Sequence, residues 1–416
     1  MSSLWRRLAG FAGLPMISMI TPLLVLPVLG RAAGQSGWAS VATGESIGTF
    51  AAIVVAYGWN TAGPPRVALD PDPVARARLY RESLLVRGAL ALLAVPVVVV
   101  LCLLLAADGY ALPTVLMGLS GGVVGLSFAW YAVGTGDPRS IAVYEAVPRV
   151  VAAAVSAGLI VLTGQLVIYP LLALTVSVTG IVLFSRGVLR QGGPAHVGVR
   201  DLRRLLWRDR AVAAIDTAGG AYATVPVPVV SALSPVAEAS AFASADKLYK
   251  FGQYVPITLG NAFQSWTVEG GLAERGRRLR VALSAHVLLG AVGWAFLTAV
   301  GPWFSGVMFG ADVAASRAVC FWLGATFLLV STRISMTRHV LIPVGAVRVV
   351  FVSTVTSAVV GVPLIAALCW AIGPVGAAIG LCLSEVVATG ILTAPALHHL
   401  RAWDRQLSTT TEEDPA

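Results

Sequence analysis

Long apolar runs constrain the fold of this chain more than any other feature of its sequence. A helix needs about 20 apolar residues to cross the hydrocarbon core of a membrane. Because lipid offers no partner to backbone polar groups, runs of that length predict spanning helices and hence an all-α polytopic membrane protein. We identify twelve such runs, at about 11–30, 38–61, 83–106, 112–134, 140–163, 165–187, 209–233, 239–265, 280–302, 314–335, 343–371 and 374–399.

Composition supports the same class. Only 12% of the 416 residues are charged and 57% are hydrophobic, whereas a soluble domain has about 25% charged residues. The four cysteines lie in apolar stretches and lack the spacing of a metal site or a disulfide framework, so we expect small buried hydrophobes. They are Cys102, Cys320, Cys369 and Cys382.

Arginine is distributed asymmetrically between the predicted loops. If the N-terminus is cytoplasmic, the cytoplasmic segments contain clusters such as Arg6–Arg7 and Arg200–Arg210, and the external segments contain only Arg31 and Arg317. The positive-inside rule therefore predicts that both termini are cytoplasmic. Membrane topology then accounts for the net charge of +9, which argues against a nucleic-acid partner.

The longest predicted loop is basic and marks the middle of the chain. We therefore predict an N-terminal six-helix lobe at 1–190, a basic cytoplasmic linker at 191–208, a C-terminal six-helix lobe at 209–402 and a disordered tail at 403–416. The two lobes show weak internal similarity. A shift of about 201 positions places Glu45 on Asp246, and a shift of about 199 places Arg149 on Arg348. Such offsets are typical of a parallel repeat about an axis along the membrane normal.

The run 239–265 contains Asp246, Lys247 and Lys250, and the chain has no other lysine. An ionised side chain at the centre of a bilayer costs about 2.5–3.5 kcal/mol on insertion scales, so it tends to face a bundle interior or a cavity. One interpretation is that this helix lines a transport pathway. The alternative is that Asp246 and Lys250 neutralise each other at i,i+4 and only hold neighbouring helices together.

Further charges lie inside the predicted spans. The carboxylates Glu45, Asp216, Asp246 and Glu385 could bind a coupling proton or cation or form gate ion pairs. For Glu385 a hydrogen bond that packs two helices together is the alternative. Arg149 and Arg348 either line a cavity or reach the headgroups; Arg149 could also pair with Glu145.

Arg87 lies one turn into the third predicted span. For this residue we expect the guanidinium to reach the headgroups, as long basic side chains near helix ends commonly do.

Catalytic signatures are missing from the sequence. Without a Gly-Lys dipeptide there is no Walker A loop, no Gly-x-Ser-x-Gly elbow occurs, and the histidines lack metal-ligand spacing. Asp70-Pro-Asp72-Pro resembles the acidic metal pair of a glycosyltransferase, but a solvated turn fits its Pro-rich loop better. We expect that the protein is not an enzyme and that it has no metal site and no cofactor, although transport could be coupled to protons or Na+.

The basic residues occur at two depths. Arg149 and Arg348 could meet an anion entering from the cytoplasm, and Lys247 and Lys250 could hold it as a cleft opens outward. A diphosphate is the anion that suits several cations in this arrangement, and we include Arg31 of the first outer turn in the predicted diphosphate-binding set.

Several stretches resemble signatures of the Wzx-type polysaccharide-biosynthesis flippases, and together they cover nearly the whole chain. They are the turn Arg31–Ser40, Tyr57–Asn60 followed by Pro65–Ala68, Trp130–Gly134, Ala245–Lys247, and Gly373–Gly380 followed by Ser384 and Glu385.

This resemblance implies the fold of the multidrug/oligosaccharidyl-lipid/polysaccharide (MOP) exporter superfamily, in which two six-helix bundles form a V around a central cleft. It implies a flippase in the bacterial cytoplasmic membrane that moves an undecaprenyl-diphosphate-linked oligosaccharide to the outer leaflet by alternating access, for cell-surface polysaccharide biosynthesis. The expected partners are the lipid-linked oligosaccharide, membrane lipids, and a polysaccharide polymerase or glycosyltransferases.

Two alternatives remain from the sequence. One is a cation-coupled small-molecule or multidrug exporter of the same fold, although a basic cleft suits cationic drugs poorly. The other is a non-transporting membrane scaffold that recruits partners through its basic central loop and its tail.

Overall fold

The computed structural model describes residues 2–191, 199–269 and 272–412, and every regular element in these ranges is helical. This confirms the all-α prediction for the described part of the chain. Short 3₁₀ turns lie at Val123–Leu126 and Ala311–Val313, and π-helical turns at Ala142–Ala146 and Met336–Leu341. The α-helices are α1 Ser2–Ala56, α2 Trp59–Leu69, α3 Pro73–Leu105, α4 Ala111–Gly122, α5 Ala129–Thr135, α6 Pro138–Ile141, α7 Val147–Thr163, α8 Ile168–Gln191, α9 Val199–Thr224, α10 Pro226–Leu233, α11 Val236–Gly252, α12 Tyr254–Glu269, α13 Leu272–Ala299, α14 Gly301–Phe309, α15 Arg317–Ser335 and α16 Val347–Glu412.

Eight helical stretches in the described ranges are long and apolar enough to cross a membrane, which supports a multi-pass protein. Two of them, Leu24–Leu69 with 46 residues and Val347–Arg401 with 55, exceed the length of a single crossing. The others are Pro73–Leu105, Ala111–Thr135, Pro138–Thr163, Ile168–Arg190, Glu274–Ala299 and Arg317–Leu341. The number of twelve crossings and the cytoplasmic side of the termini stay predictions.

The two longest helices are broken where the sequence separates two apolar runs. In α1 the break is Gly34, with φ 59° and ψ −170°. In α16 it is Ile372 and Gly373, and Gly373 has φ 67°. Glycine adopts positive φ without the Cβ clash that other residues suffer, which explains why the helix direction changes at these positions.

The predicted spans 209–233 and 239–265 fall on α9–α10 and α11–α12, outside the eight stretches. Helix α9 begins with an arginine-rich turn, and Pro226 starts a new helix because it has no N–H for the preceding ladder. Helices α11 and α12, with 17 and 16 residues, are separated at Gln253. Each helix alone is therefore shorter or more polar than a simple spanning segment.

Contacts between residues group the chain into two compact units. The first unit comprises Ile20–Ala243 and Met308–Val313, and the second comprises Met1–Met19, Ser244–Val307 and Ala314–Ala416. The predicted lobe boundaries stay a prediction. Of the predicted linker, 192–198 lies outside the described residues and 199–208 belongs to α9. The stretch 403–412, predicted to be disordered, continues α16, and 413–416 lies outside the described residues.

In the first unit, two of the sequence signatures meet in an aromatic cluster. The Trp59 and Trp130 rings are 5.1 Å apart, and Tyr80 stacks on Trp130 at 6.0 Å. Helix α2 can lie against α5 because Gly63 has no side chain; a Cβ there would overlap the Trp130 ring. These signature residues are buried and pack together, so within this unit they form core rather than a binding surface.

Small residues also allow α1 and α4 to approach closely. Gly44 and Gly48, one turn apart on α1, face the backbone of Thr114 and Gly118 on α4, and a Cβ at either α1 glycine would overlap a carbonyl oxygen of α4. Helix pairs in membranes commonly use small residues in this way, because van der Waals packing replaces the hydrophobic effect as the driving force.

We predict that Gly48→Ala destabilises the protein because its methyl group collides with the Gly118 carbonyl oxygen. Overpacking of this kind costs about 1–3 kcal/mol. The matched control is Gly88→Ala in α3, where a Cβ meets nothing within 4 Å and the better helix propensity of alanine favours the folded state. The measurement is the thermal unfolding midpoint in one detergent, and equal midpoints for the two variants would contradict the close packing of α1 and α4.

Candidate functional site

The charged stretch of α11 lies in the second unit. Lys250 Nζ is 2.7 Å from Asp246 Oδ2, the ion pair that the i,i+4 spacing allows. The Asp246 side chain is only 2% exposed, whereas 30% of Lys250 remains exposed. Lys247 is buried. The self-neutralising pair is thus present, and an incoming anion could reach Lys250 only by sharing or displacing its carboxylate partner.

Arg149 forms an ion pair with Glu145, which is one of the alternatives that the sequence left open. Arg149 Nη1 lies 3.1 Å from Glu145 Oε1, and Nε donates to Ser177 Oγ at 3.3 Å. Glu145 also accepts a hydrogen bond from Ser127 Oγ at 2.7 Å. Because Glu145 lies in the π-helical turn Ala142–Ala146, this network connects that turn to α7 and α8. The cation is half-buried and already partnered.

Glu385 is buried in the second unit and forms a two-pronged ion pair with Arg333. Arg333 Nε donates to Oε2 at 2.9 Å and Nη2 donates to Oε1 at 3.2 Å. The sequence did not suggest this partner, because Arg333 lies at the end of an apolar run where the positive-inside pattern places a loop charge. Planar, bidentate geometry makes this one of the stronger kinds of ion pair.

The remaining predicted site residues are divided between the two units. Asp216 accepts a hydrogen bond from Thr61 Oγ1 at 3.1 Å, Glu45 is half-buried, and Arg31 and Arg348 are exposed. The first unit contains Arg31, Glu45, Arg149 and Asp216, and the second contains Asp246, Lys247, Lys250, Arg348 and Glu385.

An ion-pair network in the first unit was not predicted. The buried carboxylate of Asp209 lies 2.6 Å from Arg66 Nη2 and 3.1 Å from Arg208 Nη2, and Arg208 also reaches Glu82 at 3.1 Å. Both guanidinium groups lie over the Trp59 ring, at 5.7 and 5.6 Å from its centre. The network joins α2, α3 and α9. The only signal in the sequence was one acidic residue between two arginines at 208–210.

The prediction that Arg87 reaches the headgroups is wrong. Its side chain is fully buried and donates to the carbonyl oxygens of Ser127 at 2.7 Å and Gly125 at 3.3 Å, and to Ser83 Oγ at 3.0 Å. The 3₁₀ turn Val123–Leu126 ends the local helix and leaves carbonyl groups that need donors. Arg87 satisfies them from the neighbouring helix α3.

Asp70 and Asp72 form a turn, as the second interpretation of this motif predicted. Asp72 caps α3 by accepting from Val74 N at 3.0 Å and Ala75 N at 3.2 Å, and Asp70 Oδ1 accepts from Asp72 N. Among the described residues, no group of three or more His, Cys, Asp or Glu side chains could hold a metal ion. The four cysteines are buried thiols.

Comparisons with known proteins give structural likeness without sequence similarity. No family model and no curated protein matches the sequence. An inward-facing multidrug resistance MATE family transporter of the MOP superfamily superposes with a TM-score of 0.64 at 14% identity, covering 96% of this chain and 99% of that one. The eukaryotic MATE transporter AtDTX14 gives 0.59 at 14%, covering 97% and 99%. The lipid II flippase MurJ, in an inward closed conformation, gives 0.60 at 9%, covering 96% and 93%.

At identities this low, the likeness shows the fold alone. The chain shares the fold of these solved transporters, which is the fold that the resemblance of the sequence signatures implied. Its structural neighbours are transporters and flippases rather than enzymes.

We predict that Glu385→Ala strongly destabilises the protein, because it leaves Arg333 with a poorly compensated charge. Breaking a buried ion pair from one side costs about 3–5 kcal/mol, whereas replacing both partners by apolar residues is often nearly neutral. The unfolding midpoint should therefore fall in Glu385→Ala and recover in Arg333→Leu/Glu385→Leu.

The control is Glu274→Ala, which removes the partner of Arg278 in a pair whose glutamate is 48% exposed. Solvent-exposed ion pairs contribute little to stability, so the unfolding midpoint of Glu274→Ala should hardly change. If the unfolding midpoint fell by the same amount in Glu274→Ala and Glu385→Ala, the buried pair would contribute no more to stability than the exposed one.

Proposed function

We propose that this protein is a flippase that moves an undecaprenyl-diphosphate-linked oligosaccharide from the cytoplasmic to the outer leaflet of the bacterial cytoplasmic membrane. The observation that carries the proposal is the presence of the buried Lys247 and of Lys250 on helix α11 in a chain with a transporter fold. The resemblance to Wzx-type flippases and the structural likeness to a lipid II flippase support a lipid-linked substrate. The product would serve cell-surface polysaccharide biosynthesis, together with a polymerase or glycosyltransferases.

The chemistry of the pair on α11 suits a diphosphate. The Lys250 ammonium is held by one carboxylate and is partly exposed, so phosphate oxygens can compete with Asp246 for it. Charge-assisted hydrogen bonds to phosphate are among the stronger polar interactions. The polar headgroup would bind at these charged residues while the prenyl chain stays in lipid. Arg31, Arg149 and Arg348 complete the proposed diphosphate-binding set, and Arg149 would exchange Glu145 for the substrate.

Alternating access requires interactions that differ between two conformations. Ion pairs such as Asp246–Lys250 and Glu385–Arg333 are suited to this role, because each can break in one state and re-form in the other. We assign Glu45 and Asp216 to the same class of gating carboxylates.

A cation-coupled multidrug exporter is the second candidate. It is favoured by the likeness to MATE transporters and by the buried carboxylates Asp246 and Glu385, which suit a cationic substrate. The partnering of both carboxylates by cations in the second unit weighs against it. Efflux of a labelled drug cation from a sensitised strain tests this candidate.

We predict that Lys247→Ala/Lys250→Ala abolishes flipping of a fluorescent undecaprenyl-diphosphate glycan in proteoliposomes. An externally added, membrane-impermeant reagent measures how much headgroup is accessible. Because Lys250→Ala leaves Asp246 buried without its partner, Asp246→Asn/Lys250→Gln is measured in parallel. This variant removes both charges of the pair, so a loss of flipping in it cannot come from a stranded carboxylate.

The matched control is Arg277→Ala, which removes an exposed cation of α13 whose nearest carboxylate is 3.9 Å away. It should flip at the rate of the unaltered protein. Equal thermal midpoints exclude misfolding as the cause of any loss. Full activity of both lysine variants would overturn the proposed diphosphate site, and movement of drug cations without glycan would favour the exporter.

A further inference from the structure

Two histidines are buried side by side in the second unit and have no role in the site described above. His286 lies on α13 and His339 in the π-helical turn Met336–Leu341. Both are at most 1% exposed, and their ring centres are 5.6 Å apart. Ionisable side chains within transmembrane segments commonly mark ion pathways, and the hydrogen bonds of each ring decide whether it can take up a proton.

His339 is fully hydrogen-bonded as a neutral ring. Its Nε2 lies 3.0 Å from the carbonyl oxygen of Gly260, which can only accept, so the ring proton is on Nε2. In the neutral ring Nδ1 is the acceptor, and Ser335 Oγ donates to it at 3.1 Å. Both nitrogens therefore have a hydrogen-bond partner, and no lone pair of this ring is left without one.

His286 is different. Ser331 Oγ donates to the carbonyl oxygen of His286 at 2.7 Å, so its only proton is already used. The 3.3 Å contact between Ser331 Oγ and Nδ1 must therefore be donated by the ring. This places the proton on Nδ1 and leaves a lone pair on Nε2. Nε2 is buried and has no hydrogen-bond partner among the described residues.

Among the described residues, no carboxylate acts on the His286 ring to compensate an added positive charge. From α12, Gly260 approaches the ring and is uncharged, and from α15 the contact is Ser331. The titratable and charged groups that act on the ring are His339 and Arg338, both from the π-helical turn. Arg338 donates to Asn261 Oδ1. The packing in this structure therefore fits a neutral His286.

We propose that His286 Nε2 is the proton-binding site through which transport is coupled to a proton gradient. In a conformation that admits water, the Nε2 lone pair takes a proton from water and the ring becomes an imidazolium. When the packing seen here re-forms, that proton returns to water because no acceptor faces it. A proton can drive a conformational change only if its affinity differs between the two states, and this environment supplies such a difference.

The π-helical turn contributes the movable part of this site. π-Helical turns are rare, appear mostly as single turns inside α-helices, and are frequently found at functional sites. This one contains both Arg338 and His339, so a local change in its winding would move the cation and the neighbouring ring relative to His286. We assign His339 a positioning role. The coupling of transport to this site rests on the proposed function, whereas the protonation state of His286 does not.

The first test needs no substrate. Nitrogen NMR of isotope-labelled histidine in lipid bilayers distinguishes protonated from bare ring nitrogens, and the chain has only five histidines. We expect one bare Nε2 without a hydrogen bond at neutral pH, absent from the spectrum of His286→Asn, and protonated on acidification. An Nε2 of His286 that carries a proton at neutral pH, or that stays bare at every pH where the protein remains folded, would overturn the proposal.

The second test measures coupling in proteoliposomes containing the undecaprenyl-diphosphate glycan. With one proton per cycle, a gradient of one pH unit should shift the steady-state ratio of glycan between leaflets by up to about tenfold, and a protonophore should abolish the shift. His286→Asn keeps a donor for Ser331 but cannot take up a proton. It should equilibrate the glycan and show no shift. The matched control is His398→Asn, since His398 is exposed.

These outcomes distinguish a failure of the proposed flippase function from a failure of the proton-coupling role of His286. If the unaltered protein flips no glycan, the proposed function fails, and the NMR result still decides the proton site. If it flips glycan without responding to the gradient, or if His286→Asn responds as strongly as the control, the coupling role fails and the flippase stands. His286→Gln replaces His286→Asn if thermal unfolding shows that the asparagine variant does not fold.

Discussion

The cost of an unsatisfied polar group in hydrocarbon is the constraint on which both units depend. Arg87 meets it with carbonyl oxygens at the end of a 3₁₀ turn, Glu385 with the bidentate guanidinium of Arg333, and Asp246 with Lys250 one turn along α11. The first two of these connect different segments of the chain. Satisfying a buried charge therefore also positions one helix against another, and the polar contacts become part of how each unit is built.

The same constraint links structure to the proposed mechanism. A buried ion pair persists until another group with charge of the same sign replaces one partner. A diphosphate could in this way replace Asp246 as the partner of Lys250. His286 is the opposite case. In this packing its Nε2 has no hydrogen-bond partner among the described residues, and no carboxylate acts on the ring. Substrate binding and proton binding would then act on the second unit through the same physical quantity, the stability of charge in a low-dielectric interior.

Much of the fold could be predicted because its signals are local. Apolar runs located the helices, and glycines adopt positive φ where runs separate, at Gly34 and Gly373. The pair on α11 followed from i,i+4 spacing, and the cap at Asp72 from its turn motif. The candidate site was predicted less completely. Arg149 took one of its stated alternatives, whereas Arg87 contradicted its prediction, because its position near a helix end does not reveal the unpaired carbonyl groups beside it.

The sequence by itself determined the class of protein, the placement of its helices and the identity of its intramembrane charges, since these depend on composition and on neighbours within a turn or two. Only the tertiary structure decided which charges meet. Arg333 and Glu385 are 52 residues apart, Glu82 and Arg208 are 126 apart, and Arg66 and Asp209 are 143 apart. No periodicity encodes such pairs, because they form only when packing brings separate helices within hydrogen-bonding distance.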